Sequence, residues 1–225
     1  AHDFNNMIGV ILGYSEMALD QMNPSEDLQE ALSEIKRAAN KSADLTRQLL
    51  AFARKQKIEP RVIDLNETVE SMLKMLKRLI GEEIELEWLP GESLWKVEMD
   101  PGQIDQVLAN LCVNARDAID GRGRITIRTS NAEISKSASS RYQGLAPGNY
   151  VVLEVSDTGQ GISEEIIDNI FEPFFTTKPK GAGTGLGLPI VYGIVKQNQG
   201  FIYALSEPGR STTFRIFLPR CELLP

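Results

Sequence analysis

A carboxylate and two alternate glycines stand together in Asp157-Thr158-Gly159-Gln160-Gly161-Ile162. The acid closes an apolar run, and the glycines after it carry no Cβ. A purine needs such a place, with an acceptor for its exocyclic amine and backbone that can lie close to the ring. A second cluster, Gly181-Ala182-Gly183-Thr184-Gly185-Leu186-Gly187-Leu188, leads into the helical spacing Leu188, Val191, Tyr192, Val195. Unpaired N–H groups at a helix start can meet phosphate oxygens. Between the clusters, Phe171-Glu172-Pro173-Phe174-Phe175-Thr176-Thr177-Lys178 supplies aromatic rings and a positive charge. Neither cluster has the P-loop spacing or follows the first strand of a dinucleotide fold, and either alone would pass as a tight turn.

Upstream, Asp100-Pro101 opens a helix whose apolar positions Ile104, Val107, Leu108, Leu111, Ala115, Ala118 and Ile119 keep core spacing. Asn110 and Asn114 share its other face. Amides gain little helix propensity and compete with the backbone for hydrogen bonds, so this pair is expected to bind something. A solvated face is the plain alternative.

The ordered set of Asn110 and Asn114, Asp157 to Ile162, Phe171 to Lys178, and Gly181 to Leu188 resembles the Bergerat-type ATP-binding domain of sensor histidine kinases, with its N, G1, F and G2 boxes. The opening Ala1-His2-Asp3-Phe4-Asn5-Asn6 is similar to the H box of the same family, so the resemblance spans nearly the whole chain. It implies ATP and Mg2+ as cofactors. Asp157 would accept the adenine amine, Gly159 and Gly161 would admit the base, and Thr212 would reach the adenine side. Lys178, Gly183, Thr184, Gly185, Leu186 and Gly187 would shape the phosphate side and its lid, with Phe171, Phe174 and Phe175 as lid anchors or ordinary core. Asn110 and Asn114 would meet magnesium and the phosphates, because Mg2+ takes few protein ligands and fills its octahedron with amide, water and triphosphate oxygens.

By the same resemblance His2, the chain's single histidine, is the phosphoacceptor. Asp3 would keep one imidazole nitrogen protonated. Asn6, one helical turn on, would orient a water for removing phosphate from a partner. That partner is a response-regulator receiver domain, whose aspartate takes the phosphoryl group from His2. Three positions depart from the family pattern. Asp117 stands where a basic residue often follows the second asparagine, with Arg116 on a different helical azimuth. Ser211 replaces a glycine before Thr212-Thr213-Phe214, and Asn198 to Gly200 lacks a frequent histidine.

These residues need elements to hold them. From His2 to about Gln21, Phe4, Ile8, Ile11, Leu12, Ala18 and Met22 recur at helical spacing, with only Ser15 breaking the pattern. Asn23-Pro24-Ser25-Glu26 caps a second helix. Its seven-residue rows are Leu28, Ile35, Ser42, Leu49 and Leu32, Ala39, Thr46, Ala53. Two such helices bury too little to stand alone. Packing on their own chain and pairing with another copy are about even on sequence, and the resemblance favours a homodimeric four-helix bundle. Glu59-Pro60 breaks the helix, which divides the chain into 1–59, a dimerisation and phosphotransfer hairpin, and 60–225, an ATP-binding domain.

In the second part a helix is expected through Val69, Leu73, Leu76 and Ile80, with strands near Ile84 to Leu89 and Trp95 to Met99. Ile125 and Ile127, then Val151, Leu153 and Val155, then Phe214, Ile216 and Leu218 alternate as half-buried strands. The expected class is α+β: a helical hairpin followed by an α/β sandwich, its mixed sheet covered by helices on one face. Ser135 to Gly148 reads as a surface hairpin or loop without assigned chemistry.

The formal net charge of −7, without a Lys/Arg run, argues against a nucleic-acid surface. Cys112 and Cys221 form no disulfide framework or metal-ligand spacing. No apolar run approaches the roughly 20 residues of a membrane span. The chain opens at Ala1-His2 without an initiator Met, so it is expected to be part of a longer protein, cytoplasmic, with any membrane contact lying upstream. Two rival readings remain open: a non-catalytic ATP-sensing dimerisation module, and a superfamily ATPase. The second lacks an evident water-activating glutamate on the Asn110 helix.

Overall fold

The computed structural model describes residues 59–135, 144–178 and 183–222 and, N-terminal to these, residues 10, 11, 13–18, 28, 32, 33, 35, 36 and 39. The chain divides into two compact units, 1–57 with 177–184, and 58–176 with 185–225.

In the first unit all the described N-terminal residues are helical. Lys36 and Glu16 form an ion pair at 2.8 Å between the two helical stretches. Ser15, the break in the apolar pattern, is buried, and its hydroxyl returns to the carbonyl of Ile11 at 2.7 Å. That local bond lets a polar side chain sit among apolar ones. The two rows of the second helix separate: Ala39 is buried and Leu32 half-buried, whereas Leu28 and Ile35 are exposed. Val10, Ile11, Tyr14 and Met17 are exposed as well, so this unit carries apolar surface that it does not itself bury.

The second unit runs β1 (Arg61–Ile63), α1 (Leu65–Ile80), β2 (Ile84–Leu89), β3 (Val97–Met99), α2 (Pro101–Ala118), β4 (Gly123–Ile134), β5 (Gly148–Asp157), α3 (Gly187–Gln197), β6 (Phe201–Glu207) and β7 (Ser211–Pro219). Both long helices begin where the sequence places an acid. Asp64 accepts from Asn66 N at 2.8 Å and Asp100 from Gly102 N at 2.8 Å, and Pro101 occupies the first turn of α2. The main sheet has five strands in the order β2-β4-β5-β7-β6, with β2 parallel to β4 and the other pairs antiparallel. β1 and β3 form a separate antiparallel pair. The mixed sheet and its helices have the expected α+β class.

Register explains the core. Leu153 pairs with Thr129 and Ile216, and Val155 with Ile127 and Phe214, so the alternate residues of three strands line one buried face. Helix α2 lies against β5 and β4 and packs between α1 and α3, burying Ile104, Val107, Leu108, Leu111, Cys112 and Ala115. Burial pushes the Cys112 thiol up to about 12, which leaves it a small inert hydrophobe.

The opposite face is not bare. Tyr150, Val152, Phe217 and Leu145, the last from the segment expected to be a plain surface loop, form a second small core flanked by Phe201 and Tyr203. Tyr150 meets Phe217 edge-on at 6.1 Å and Phe201 at 6.2 Å. Strands β1 and β6 were not among those expected, and β3 starts at Val97 rather than Trp95. Among the described residues no helix is long and apolar enough to cross a membrane.

Candidate nucleotide site

Asp157 is the last residue of β5, and its side chain is only 5% exposed. Burial pushes its carboxyl above the usual carboxylate range, while the N–H groups of Gly159 and Thr212 donate to it and pull part of the way back. The bond from Gly159 N is 2.8 Å long. Among the described residues no cation pairs with this buried acid, which makes it costly to the fold, and its two N–H donors are neutral.

The loop after Asp157 is held on both sides. Gln160 N donates to the carbonyl of Ala118, at the end of α2, at 2.9 Å, and Gly209 N donates to Gln160 O at 2.6 Å. Gly161 has φ +70°, and a Cβ there would strike the carbonyl of Glu207 at the end of β6. Only glycine fits that backbone at that distance from a neighbouring strand. Ile162 N donates to Ser206 Oγ at 2.7 Å. The loop is therefore clamped between the end of α2 and the end of β6.

Helix α2 carries the amide pair. Ala118 lies one turn beyond Asn114, roughly 6 Å along the axis, so the loop and the amides share the last turns of one helix. Asn110 Nδ2 donates back to Gln106 O at 2.9 Å. Its Oδ1 lies 3.4 Å from where a Cβ of Gly187 would sit, and Asn114 Nδ2 lies 3.5 Å from the same point. Asn114 Nδ2 is buried and has no hydrogen-bond partner. An unpaired buried amide costs on the order of 1–3 kcal/mol unless a ligand supplies the acceptor. Both amides thus face the start of α3, where Leu186 gives no side-chain cap to the N–H groups of Gly187 and Leu188 ahead of Pro189. Among the described residues no cluster of His, Cys, Asp or Glu has metal-ligand geometry, so a hard cation here would rely on amide, water and phosphate oxygens.

Gly185, at φ +65°, lies where a Cβ would collide with the backbone of Phe174, whose N–H donates to Gly185 O at 2.9 Å. Phe174 itself has φ +69° and is 59% exposed, so it is no core residue. Phe171 is half-buried, with its ring 5.4 Å from that of Tyr192 and 6.4 Å from that of Phe214. Thr212 is 3% exposed and is the register partner of Asp157.

The structure therefore brings Asp157, Gly159, Gly161 and Thr212 together at one end of the sheet, and Asn110, Asn114 and Gly187 together at the start of α3. Leu186 is buried beside them, and Gly185 anchors the preceding turn. Lys178, Gly183 and Thr184 fall in the segment grouped with the N-terminal unit, so their part in the site stays an expectation of the sequence. His2, Asp3 and Asn6 lie outside the described residues. Arg116 spends its guanidinium on Asp117, at 2.6 and 2.9 Å, and on the carbonyl of Leu79, at 3.0 Å, where it caps the end of α1. Sequence reasoning missed Ser206 and the carbonyl of Ala118: a backbone acceptor has no residue signature, and Ser206 sits on a strand that was not recognised.

Residues 99–222 match the family described as histidine kinase-, DNA gyrase B-, and HSP90-like ATPase, and residues 1–58 match the His Kinase A (phospho-acceptor) domain. Sensor kinase CckA of Brucella abortus (strain 2308) is 49% identical over 220 residues, which are 98% of this chain and 23% of that protein. Signal transduction histidine-protein kinase AtoS of Escherichia coli (strain K12) is 32% identical over 221 residues, 97% of this chain and 33% of that protein. The chain thus spans a third or less of the length of these two relatives. Full-length ShkA, solved in complex with AMPPNP, shares the fold with a TM-score of 0.69 at 21% identity, covering 100% of this chain and 45% of that one. The mycobacterial sensor histidine kinase MprB aligns with a TM-score of 0.56 at 26% identity, over 73% of this chain and 100% of that one. With a clamped glycine loop beside a buried acid, two amides facing an uncapped helix start, and a phospho-acceptor domain ahead of them, the chain belongs to the histidine kinase-, DNA gyrase B-, and HSP90-like ATPase family and is a histidine kinase catalytic core.

Proposed function

We propose that this chain binds ATP between Asp157 and the start of α3, phosphorylates His2, and passes the phosphoryl group to an aspartate of a response-regulator receiver domain. The observation that carries the reading is the pairing of a buried carboxylate, held by two neutral N–H donors, with the orphaned amide of Asn114, two costs that one nucleotide would relieve. Asp157 would accept the adenine N6 amine, with Thr212 beside it and the glycine loop against the ring. The phosphates would lie along the N-terminus of α3.

In the reaction a lone pair of the His2 imidazole attacks the γ-phosphorus, an N–P bond forms, the bond to the β–γ bridging oxygen breaks, and ADP leaves. Asp3 would hold the proton on the other ring nitrogen, so that the attacking nitrogen keeps its lone pair. Positioning and charge neutralisation supply most of the rate in such transfers. Asn110 and Asn114 are the residues we assign to Mg2+, since their amide oxygens suit a hard cation that leaves most of its shell to water and phosphate. Bound there, the ion would draw charge from the phosphate oxygens.

Pairing of two chains through the hairpin is supported by the exposed Val10, Tyr14, Met17, Leu28 and Ile35. Asn6 would orient the water that removes phosphate from the regulator. The chain would act as the cytoplasmic portion of its protein. Incubation with γ-labelled ATP tests the reading: label retained on the protein supports a kinase, no turnover marks a sensing module, and free phosphate alone marks an ATPase.

A further inference from the structure

Ser206, on the edge strand β6, is a meeting point for hydrogen bonds beside the glycine loop. Ile162 N donates to Ser206 Oγ at 2.7 Å, and the same oxygen lies 2.8 Å from the carbonyl of Ser211 and 3.0 Å from Thr212 Oγ1. A hydroxyl has one proton and two lone pairs, which assigns every proton in this cluster. Two oxygens do not hold 2.8 Å without a proton between them. The Ser211 carbonyl has none, so the Ser206 proton goes there. The Ile162 N–H takes one lone pair of Ser206. The other faces Thr212, and the proton of that contact comes from Thr212 Oγ1. Thr212 has then spent its only proton, and toward any other neighbour its hydroxyl can only accept.

Thr212 sits where this matters. It is the register partner of Asp157 on the same face of the sheet, its own N–H donates to the Asp157 carboxylate, and at 3% exposure it has little water with which to exchange roles. We propose that Ser206 sets the base specificity of the pocket: by consuming the Thr212 proton it leaves, next to Asp157, a second group that can only accept. A purine with an amine at its six-position is taken, and one with a carbonyl oxygen there is refused. This rests on the reading of the site as a purine nucleotide pocket. Ser206 is a positioning residue in this account, acting through Thr212. Discrimination by a buried group left unpaired against the wrong ligand is among the strongest available to a binding site.

The test is calorimetric titration of the purified chain with non-hydrolysable ATP and GTP analogues, for the wild type, Ser206→Ala, Thr212→Val and the double variant. In Ser206→Ala the Thr212 hydroxyl regains its proton and can turn to donate. Affinity for the ATP analogue should fall about fivefold while that for the GTP analogue holds or rises, contracting the ratio by at least about fivefold. In the Thr212→Val background the same substitution should leave the ratio unchanged. A parallel loss for both analogues would mean that Ser206 only anchors Ile162, and it would overturn the proposal. So would an equal contraction without the Thr212 hydroxyl. If Ser206→Ala fails to fold by near-UV circular dichroism, Ser206→Cys keeps the volume with a weaker donor and should contract the ratio in the same direction; an unchanged ratio there also overturns the assignment. A wild-type chain that binds neither analogue would remove the nucleotide reading itself, which is a different result from tight ATP binding with an unaltered ratio in the variants.

Discussion

Asp157 and Thr212 are Cα partners on β5 and β7, and the backbone N–H of Thr212 donates to the Asp157 side chain across the ladder. A strand pair thus supplies both the acid and a donor that fixes its orientation, so the acceptor of the site is set by sheet register rather than by a loop. With Gly159 N at 2.8 Å on Oδ1, the carboxylate is aimed before any ligand arrives.

Replacing that acid should separate binding from folding. Asp157→Asn puts an amide, which can present a donor, where a donor from the base is expected, so ATP affinity should fall at least about a hundredfold. Removal of a buried charge should at the same time raise the melting temperature of the nucleotide-free chain by about 2–4 °C. Titration calorimetry and a thermal melt check the two effects on one sample. Unchanged affinity would take Asp157 out of the site.

The same group gives a pH signature. Its folded carboxyl sits above the usual range because of burial, so in the window between the ordinary and folded values the native state holds a proton that the unfolded state has lost. The stability it contributes is present below the ordinary value and is lost as pH rises through the folded one. Denaturant titrations run upward in pH from the ordinary carboxylate range should show this decline in the wild type, and a shallower decline in Asp157→Asn.

Asn114→Ala should depress phosphorylation by about a hundredfold in the presence of magnesium. Nucleotide affinity without metal should fall far less, by about tenfold at most, because only the one hydrogen bond that the orphaned amide would give the nucleotide is lost. Single-turnover kinetics and metal-free titration separate the two. Equal loss with and without magnesium would mark Asn114 as structural.

His2→Gln should abolish labelling from γ-labelled ATP, and the wild-type label should survive alkali but not acid, as a phosphoramidate does. Asn6→Ala should keep most autophosphorylation and lengthen the lifetime of a phosphorylated cognate regulator. If both activities fall together, Asn6 serves the helix face or the approach of ATP rather than a water.

The sequence made the amides and glycines readable because each is expensive where it stands. Asn110 and Asn114 are poor helix formers paired on one face of a long helix, and Gly161 holds a left-handed backbone against Glu207, so only a compensating role keeps them there. Strand β6 escaped for the opposite reason. Phe201, Tyr203 and Leu205 alternate with Ile202 and Ala204, so both faces are apolar and the period-two signal vanishes. One face serves the main core and the other the aromatic cluster around Tyr150. The loss of β6 hid Ser206 as well, because its contacts with Ser211 and Thr212 exist only once β6 is laid beside β7 in register. Trp95 reads as a strand residue, but its N–H donates to Asn131 Oδ1, which keeps it in the loop before β3.

The pin between Phe174 and Gly185 bears on how this part of the chain tolerates change. Their backbone bond and the interlocked left-handed turns close the base of the stretch 175–184, so the two ends stay together whatever lies between them. Once a loop is clasped at its base, doubling its length costs only about 0.6 kcal/mol of closure entropy. Insertions between the two clasp residues should therefore leave the fold of the domain standing at little thermodynamic expense, a separate matter from the phosphate-side roles expected of Lys178, Gly183 and Thr184.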